Sequence, residues 1–275
     1  MRTLMQPIPL ALSIFALLAP LTAQAAGGAF EINQDCAAAG CFAGDTAGFP
    51  VTITQSGTYV LTSDLVVNSS NDAIQISASY VDLDLNGHII DGGGSCSGTP
   101  VSACSGAVGG IGINLQTFSL DTDIRLHNGT VRGFASGGIQ GGVAGDGTVL
   151  DHLTVAENIL FGASFPFSSS LSIAHVRDSL FVRNILGLRG TAGFDVTNCT
   201  FAGNQTTGLQ ADGPATVAIS RFERNGGLGL NATSGEAVAL DHNMFRHNDG
   251  NSAQWAIAGT LLDMGGNVCA DHACP

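Results

Sequence analysis

An all-β solenoid, a parallel β-helix of about eight rungs, is the fold this sequence predicts, and three observations predict it. Large apolar residues recur as markers at Val131, Val155, Phe181, Phe201, Phe222 and Phe245, at intervals of 24, 26, 20, 21 and 23 residues. Asn follows three positions after most of them, as Asn158, Asn184, Asn204, Asn225 and Asn248. Between the markers lie short runs that alternate apolar and polar residues, rich in β-branched side chains and free of helical spacing. A unit of this length cannot bury its own apolar face and must stack on its neighbours.

Each unit divides into three runs. Five residues before the marker stands Leu126, Leu150, Val176, Val196, Val217 or Leu240, the inward residue of one run. Three before it stands Asn128, His152, Asp178, Asn198, Ile219 or His242, at a bend. Polar residues stacked at a bend read as a hydrogen-bonding ladder that satisfies turn backbone, and the Asn after the marker reads the same way. The next run opens on a Gly-apolar pair: Gly138-Ile139, Gly187-Leu188, Gly208-Leu209 and Gly229-Leu230. Cys199 falls inside this pattern and reads as a small core residue. The fixed leucine pattern of leucine-rich repeats is missing, as is the iterated Gly-rich calcium motif.

Composition agrees and excludes much else. The chain has 275 residues, 38 Gly, 44% hydrophobic and 11% charged residues, which rules out bulk disorder, and its Gly follows no collagen triplet. All nine basic residues are Arg, so mechanisms that need Lys are excluded: the P-loop, the Schiff base and the Ser-x-x-Lys acyl enzyme. Twenty-two acidic residues argue against a nucleic-acid partner, which would need clustered cations.

Residues 1–25 read as a secretory signal peptide: Arg2, an apolar run over 8–21, and an A-x-A site at Ala23-Gln24-Ala25. The longest Pro-free apolar stretch, residues 10–19, is too short to span a bilayer, and no later segment is apolar enough. The expectation is a secreted chain, periplasmic or extracellular, with no membrane span. Export favours disulfides, and six cysteines fall in local pairs: Cys36 with Cys41, Cys96 with Cys104, Cys269 with Cys274. Residues 26–72 are expected to form an N-terminal cap with the first strands, and 73–260 the rungs. A loop should protrude at 95–110, and 261–275 should form a C-terminal cap. Stapled caps at both ends would block edge-to-edge polymerisation.

The chain resembles the right-handed parallel β-helix proteins of the pectin-lyase-like superfamily, most closely exported bacterial members of unknown activity. The resemblance is carried by Gly48-Phe49-Pro50-Val51-Thr52-Ile53 with Gly57-Thr58-Tyr59, by Val81-Asp82-Leu83-Asp84-Leu85-Asn86-Gly87-His88-Ile89-Ile90, and by Asn128-Gly129-Thr130-Val131-Arg132-Gly133-Phe134. It implies a groove along the sheet opened by the Gly-apolar pairs. Outward positions there are Asn114, Gln140, Arg189, Gln210 and Asn231, then Gln116, Thr191, Asp212 and Thr233. Stacked amides and hydroxyls suit a sugar, and Asn114, Gln140, Gln210 and Asn231 are the candidate substrate-binding residues; a merely solvated polar face is the plainer alternative.

If the groove is catalytic, Arg189, Asp212 and Glu157 are the candidates. A lyase would use Arg189 as base with Ca²⁺ on carboxylates, and a glycosidase would need two carboxyl groups about 5–10 Å apart. Otherwise Arg189 and Asp212 form a cross-rung ion pair. A further row, Glu157, Arg183, Arg224 and His247, borders the bend. No metal site is expected from the residues themselves. The function read from this is a monomeric rod acting at a polysaccharide or cell-surface glycan, the alternative being a polysaccharide lyase or glycoside hydrolase. An enzyme would also want an exposed aromatic platform, for which Trp255 and Tyr59 are the candidates.

Overall fold

The computed structural model describes residues 28–116, 123–141, 147–166, 173–191, 193–248 and 254–270. Over them the chain winds as an all-β parallel solenoid of about eight turns, with a single short helix. The signal peptide foreseen at 1–25 lies outside the described residues. No described helix is long and apolar enough to cross a membrane.

Each turn supplies three short strands, whose stacked rows are here called faces one, two and three. Face one is a nine-stranded parallel sheet from Val51–Ile53 to Trp255–Ile257. Faces two and three merge into one 17-stranded sheet, because a very tight corner joins them. Ile124–Arg132 and Thr148–Ala156 run through that corner as unbroken strands. Asn128, His152, Asp178, Asn198 and His242 hold it with φ between 51° and 63°. Asn, Asp and His tolerate this left-handed region better than other L-residues, which explains the polar row before the marker. Ile219 sits there too, at φ 53°, and nothing in the structure explains that choice.

The corner row was expected to be a hydrogen-bonding ladder, and the structure corrects this. Among the described residues it shows separate links, such as Asn198 Nδ2 donating to Asp178 Oδ1 at 2.6 Å. The continuous ladder runs one position later, because the corner residue points outward and its successor points in. The Leu153 and Cys199 N–H groups donate to Ser179 and Ser220 Oγ, and those of Ser220 and Asn243 to Asn243 and Asn267 Oδ1. Cys199 is therefore a buried member of that ladder. Burial pushes its thiol up to about 12, far from a nucleophile.

The Asn three after the marker forms a second, fully buried ladder. Asn184 Oδ1 accepts both the backbone N–H and the Nδ2 of Asn158, and the pattern repeats through Asn204, Asn225, Asn248 and Gln254. The markers pair in register from Val131 to Phe245. Phe181, Phe201, Phe222 and Phe245 stack with ring centroids 5.1, 4.9 and 4.6 Å apart and planes within 9°. That spacing is the strand repeat of about 4.8 Å imposed on the rings. The glycine before face one answers to close approach: a Cβ on Gly187 would lie 2.3 Å from the Gly208 carbonyl oxygen of the next turn.

The N-terminal end is closed by the strand Phe30–Ile32 and the helix Gln34–Ala39, stapled by Cys36–Cys41. Asn33 caps the helix by accepting from the Cys36 N–H. Six residues are too few to show a helical period, so the sequence pattern passed over this helix. At the other end, Leu261–Asp263 and Val268–Cys269 pair in parallel with the preceding turn, so the segment read as a cap first adds two more strands. Cys269 is disulfide-bonded. Its expected partner, Cys274, lies outside the described residues.

The loop expected at 95–110 is an antiparallel hairpin, Ser95–Gly98 with Val101–Ser105, closed by Cys96–Cys104. It does not stand off the rod. Val101 N–H donates to the Gly203 carbonyl at 2.9 Å, and the Arg183 guanidinium donates to the Cys96 carbonyl, so the hairpin lies against the corner between faces three and one.

Candidate functional site

The outward row of face one is continuous. Strand register places Gln75, Asn114, Gln140, Ser164, Arg189, Gln210 and Asn231 side by side on successive turns. The five positions named from the sequence are thus brought together. Ser164, which fills the gap between Gln140 and Arg189, was missed because its turn opens on Gly162-Ala163, without the large apolar residue that marks the other Gly-apolar pairs. Several members are tied down: Asn114 Nδ2 donates to Asp72 at 2.7 Å, and Gln75 Nε2 to Gln116 at 2.8 Å. Asn231 Oδ1 is buried without a hydrogen-bond partner.

A cleft of about 230 Å³ opens on this row, lined by Ser164, Pro166, Arg189, Thr191, Gln210 and Asp212 among others. Arg189 is oriented from two sides. Its Nε donates to Ser164 Oγ at 3.1 Å, and its guanidinium lies 5.2 Å from the centre of the Phe161 ring. The other seven described arginines each pair with a carboxylate. Among the described residues Arg189 pairs with none, and the cross-rung ion pair with Asp212 does not form. Asp212 instead accepts from Gln210 Nε2 at 3.0 Å.

Glu157 does not join them. It occupies the corner between faces three and one at φ 59°, where its carboxylate pairs with Arg183 at 2.8 Å. The cleft therefore gathers one carboxylate among the described residues. A glycosidase pair needs two, and calcium prefers six or more oxygen ligands, so this donor set fits neither. The two aromatic candidates for sugar stacking, Tyr59 and Trp255, are both buried in the core.

Face two carries a separate network. Asp151, with a side chain only 5% exposed, accepts from Arg125 at 2.6 Å and Arg177 at 3.2 Å, and His152 Nδ1 lies against its other oxygen. Asp151, His152 and Asp178 bring ligand atoms within 4.8 Å of one another, but the two guanidinium groups already occupy the central carboxylate. Burial alone would raise the Asp151 carboxyl. Hydrogen bonds from Arg125, His152 and Arg177 outweigh it and lower the pKa to about 2. Since the folded value lies below the unfolded one, this stabilisation is complete above pH about 4 and is lost as pH falls towards 2. It amounts to about 2 kcal/mol. In urea titrations, the stability gap between wild type and Asp151→Asn is expected to be largest at neutral pH and to close across that window. A gap independent of pH would refute the assignment.

In comparisons with known proteins, no family model, no curated protein and no solved structure matched the chain.

Proposed function

We propose that this protein is an exported, monomeric carbohydrate-binding rod that lays an extended polysaccharide along face one. The observation that supports this reading best is the in-register outward row of amides and hydroxyls centred on Arg189, the one described arginine without a carboxylate partner. Amides and hydroxyls both donate to and accept from sugar hydroxyls, and they repeat at the strand spacing of about 4.8 Å along the rod. The guanidinium supplies five N–H donors in a fixed fork, suited to a carboxylate or a ring oxygen with its neighbouring hydroxyl. Kinship with the pectin-lyase-like β-helix proteins belongs to this same proposal, carried by the sequence motifs and the solenoid. So does export, supported by the leader sequence and the disulfides.

Cleavage is the second reading, favoured by the cleft that brings Arg189 and Asp212 together. Mature protein titrated with a panel of neutral and uronate polysaccharides separates the two. Binding is expected for at least one polymer, weakened about tenfold by Arg189→Ala, the loss of a charge-assisted contact. Release of unsaturated products or reducing ends, abolished by both Arg189→Ala and Asp212→Ala, would replace binding with catalysis. Binding that ignores Arg189→Ala, or no binding at all, defeats the face-one site.

A further inference from the structure

A second site emerges at the corner between faces three and one, with none of its lining residues in the outward row of face one. In a chain of formal net charge −13, Arg183, Arg221, Arg224 and Arg246 crowd one corner region. Arg183 is balanced by Glu157. The other three surround a single carboxylate, Glu223, whose side chain is 13% exposed. One carboxylate among three guanidinium groups leaves an excess of two positive charges. Burial would raise the Glu223 carboxyl, but Arg246, Arg221 and Arg224 hold it below its ordinary range.

Beside this cluster is a pocket of about 170 Å³, walled by Thr99 of the hairpin tip and by Val182, Arg183, Ala202, Gly203, Glu223 and Arg224. Two features make it a built cavity. The corner row runs Glu157, Arg183, Gly203, Arg224, His247, and the missing side chain at Gly203 opens the floor. A Cβ there would lie 3.4 Å from Thr99 Cγ2. The Cys96–Cys104 hairpin then roofs the space, anchored through Val101 on Gly203 and through Arg183.

The donors are not used up. Arg183 Nε and Arg246 Nε are buried without hydrogen-bond partners. Arg224, 55% exposed, touches Glu223 only through Nε at 3.6 Å, beyond a good hydrogen bond. We propose that the pocket between the hairpin tip and the Gly203 corner is an oxyanion site, taking a sulfate, phosphate or carboxylate group on the Arg224 fork, with Arg221 and Arg246 supplying the surrounding positive field. A planar guanidinium fork matches such a group with two parallel N–H donors, and the excess charge draws it into an otherwise acidic molecule.

The test titrates the mature protein with sodium sulfate and, separately, sodium glucuronate, at ionic strength held constant with sodium chloride. Backbone amide shifts are followed by NMR. Saturable shifts are expected at Thr99, Val101, Gly203 and Arg224. Tighter binding of sulfate assigns the site to tetrahedral oxyanions, and tighter binding of glucuronate assigns it to a sugar carboxylate. Arg224→Gln removes the fork. Gly203→Asn fills the pocket with a residue that tolerates φ 64°, so it tests the site even if the arginine variant folds poorly. Each is expected to weaken binding about tenfold, whereas Arg177→Gln on face two, equal in lost charge, leaves it unchanged. Absence of saturable shifts with both probes overturns the proposal, as does binding unaffected by Arg224→Gln and Gly203→Asn.

Discussion

Replacing Asn204 by alanine is expected to destabilise the protein by about 4 kcal/mol, although the change removes only an amide. Asn204 Oδ1 accepts the N–H and the Nδ2 of Asn184, and its own Nδ2 donates to the Phe181 carbonyl and to Asn225 Oδ1. Alanine leaves the Asn184 N–H and one of its two Nδ2 hydrogens without an acceptor deep in the core, the other staying on the Val155 carbonyl. Each loss costs about 1–3 kcal/mol, and a cavity remains besides. Asn204→Asp keeps the acceptor but loses the donor. Its charge meets Asn225 Oδ1 and the Phe181 carbonyl, so it is also expected to be strongly destabilising at neutral pH. Urea denaturation followed by far-ultraviolet circular dichroism measures both. A loss under about 1 kcal/mol for Asn204→Ala would show that the ladder is not a principal source of stability.

Phe222→Ala is expected to have an effect of similar size, about 3–5 kcal/mol. The ring is fully buried between Phe201 and Phe245, with centroids 4.9 and 4.6 Å away. Phe181 has an aromatic neighbour on one side only, since Val155 is its partner in the preceding turn. Phe181→Ala should therefore be the milder of the two by about 1 kcal/mol, the worth of one aromatic pair. Equal losses at both positions would mean that burial alone matters and stacking adds nothing.

Most of the solenoid was legible because its determinants are periodic. Val131 to Phe245 and Leu126 to Leu240 lie in register as their spacing implied, since each must face one shared core. The corner residues were found but misread: Asn198 and His242 are selected first by backbone conformation, which a list of polar residues does not reveal. The ladder through Ser179, Cys199 and Ser220 escaped notice because Ser and Cys also occur everywhere in turns. Of the candidate site, Arg189 and Asp212 share a cleft, as their positions on adjacent turns suggested. Glu157 departs because the corner turns its side chain toward Arg183. The oxyanion pocket had no linear signature at all. It depends on a hairpin at residues 95–105 meeting a glycine about a hundred positions later, and no repeat period encodes an inserted segment's resting place.

The tight corner has one more implication. Because the chain turns there without a loop, and because both ladders and the aromatic stack pass from each turn only to the next, the whole turn is the smallest unit that can be exchanged without disturbing the rest. A stretch such as 179–198 begins just after one corner and ends on the next, carrying one member of every row. Length in this architecture is therefore digital. Gain or loss of a turn would lengthen or shorten face one by one side-chain row while leaving its chemistry intact, whereas one residue added within a strand would reverse what faces the core. The rod behaves as a molecular ruler graduated in turns.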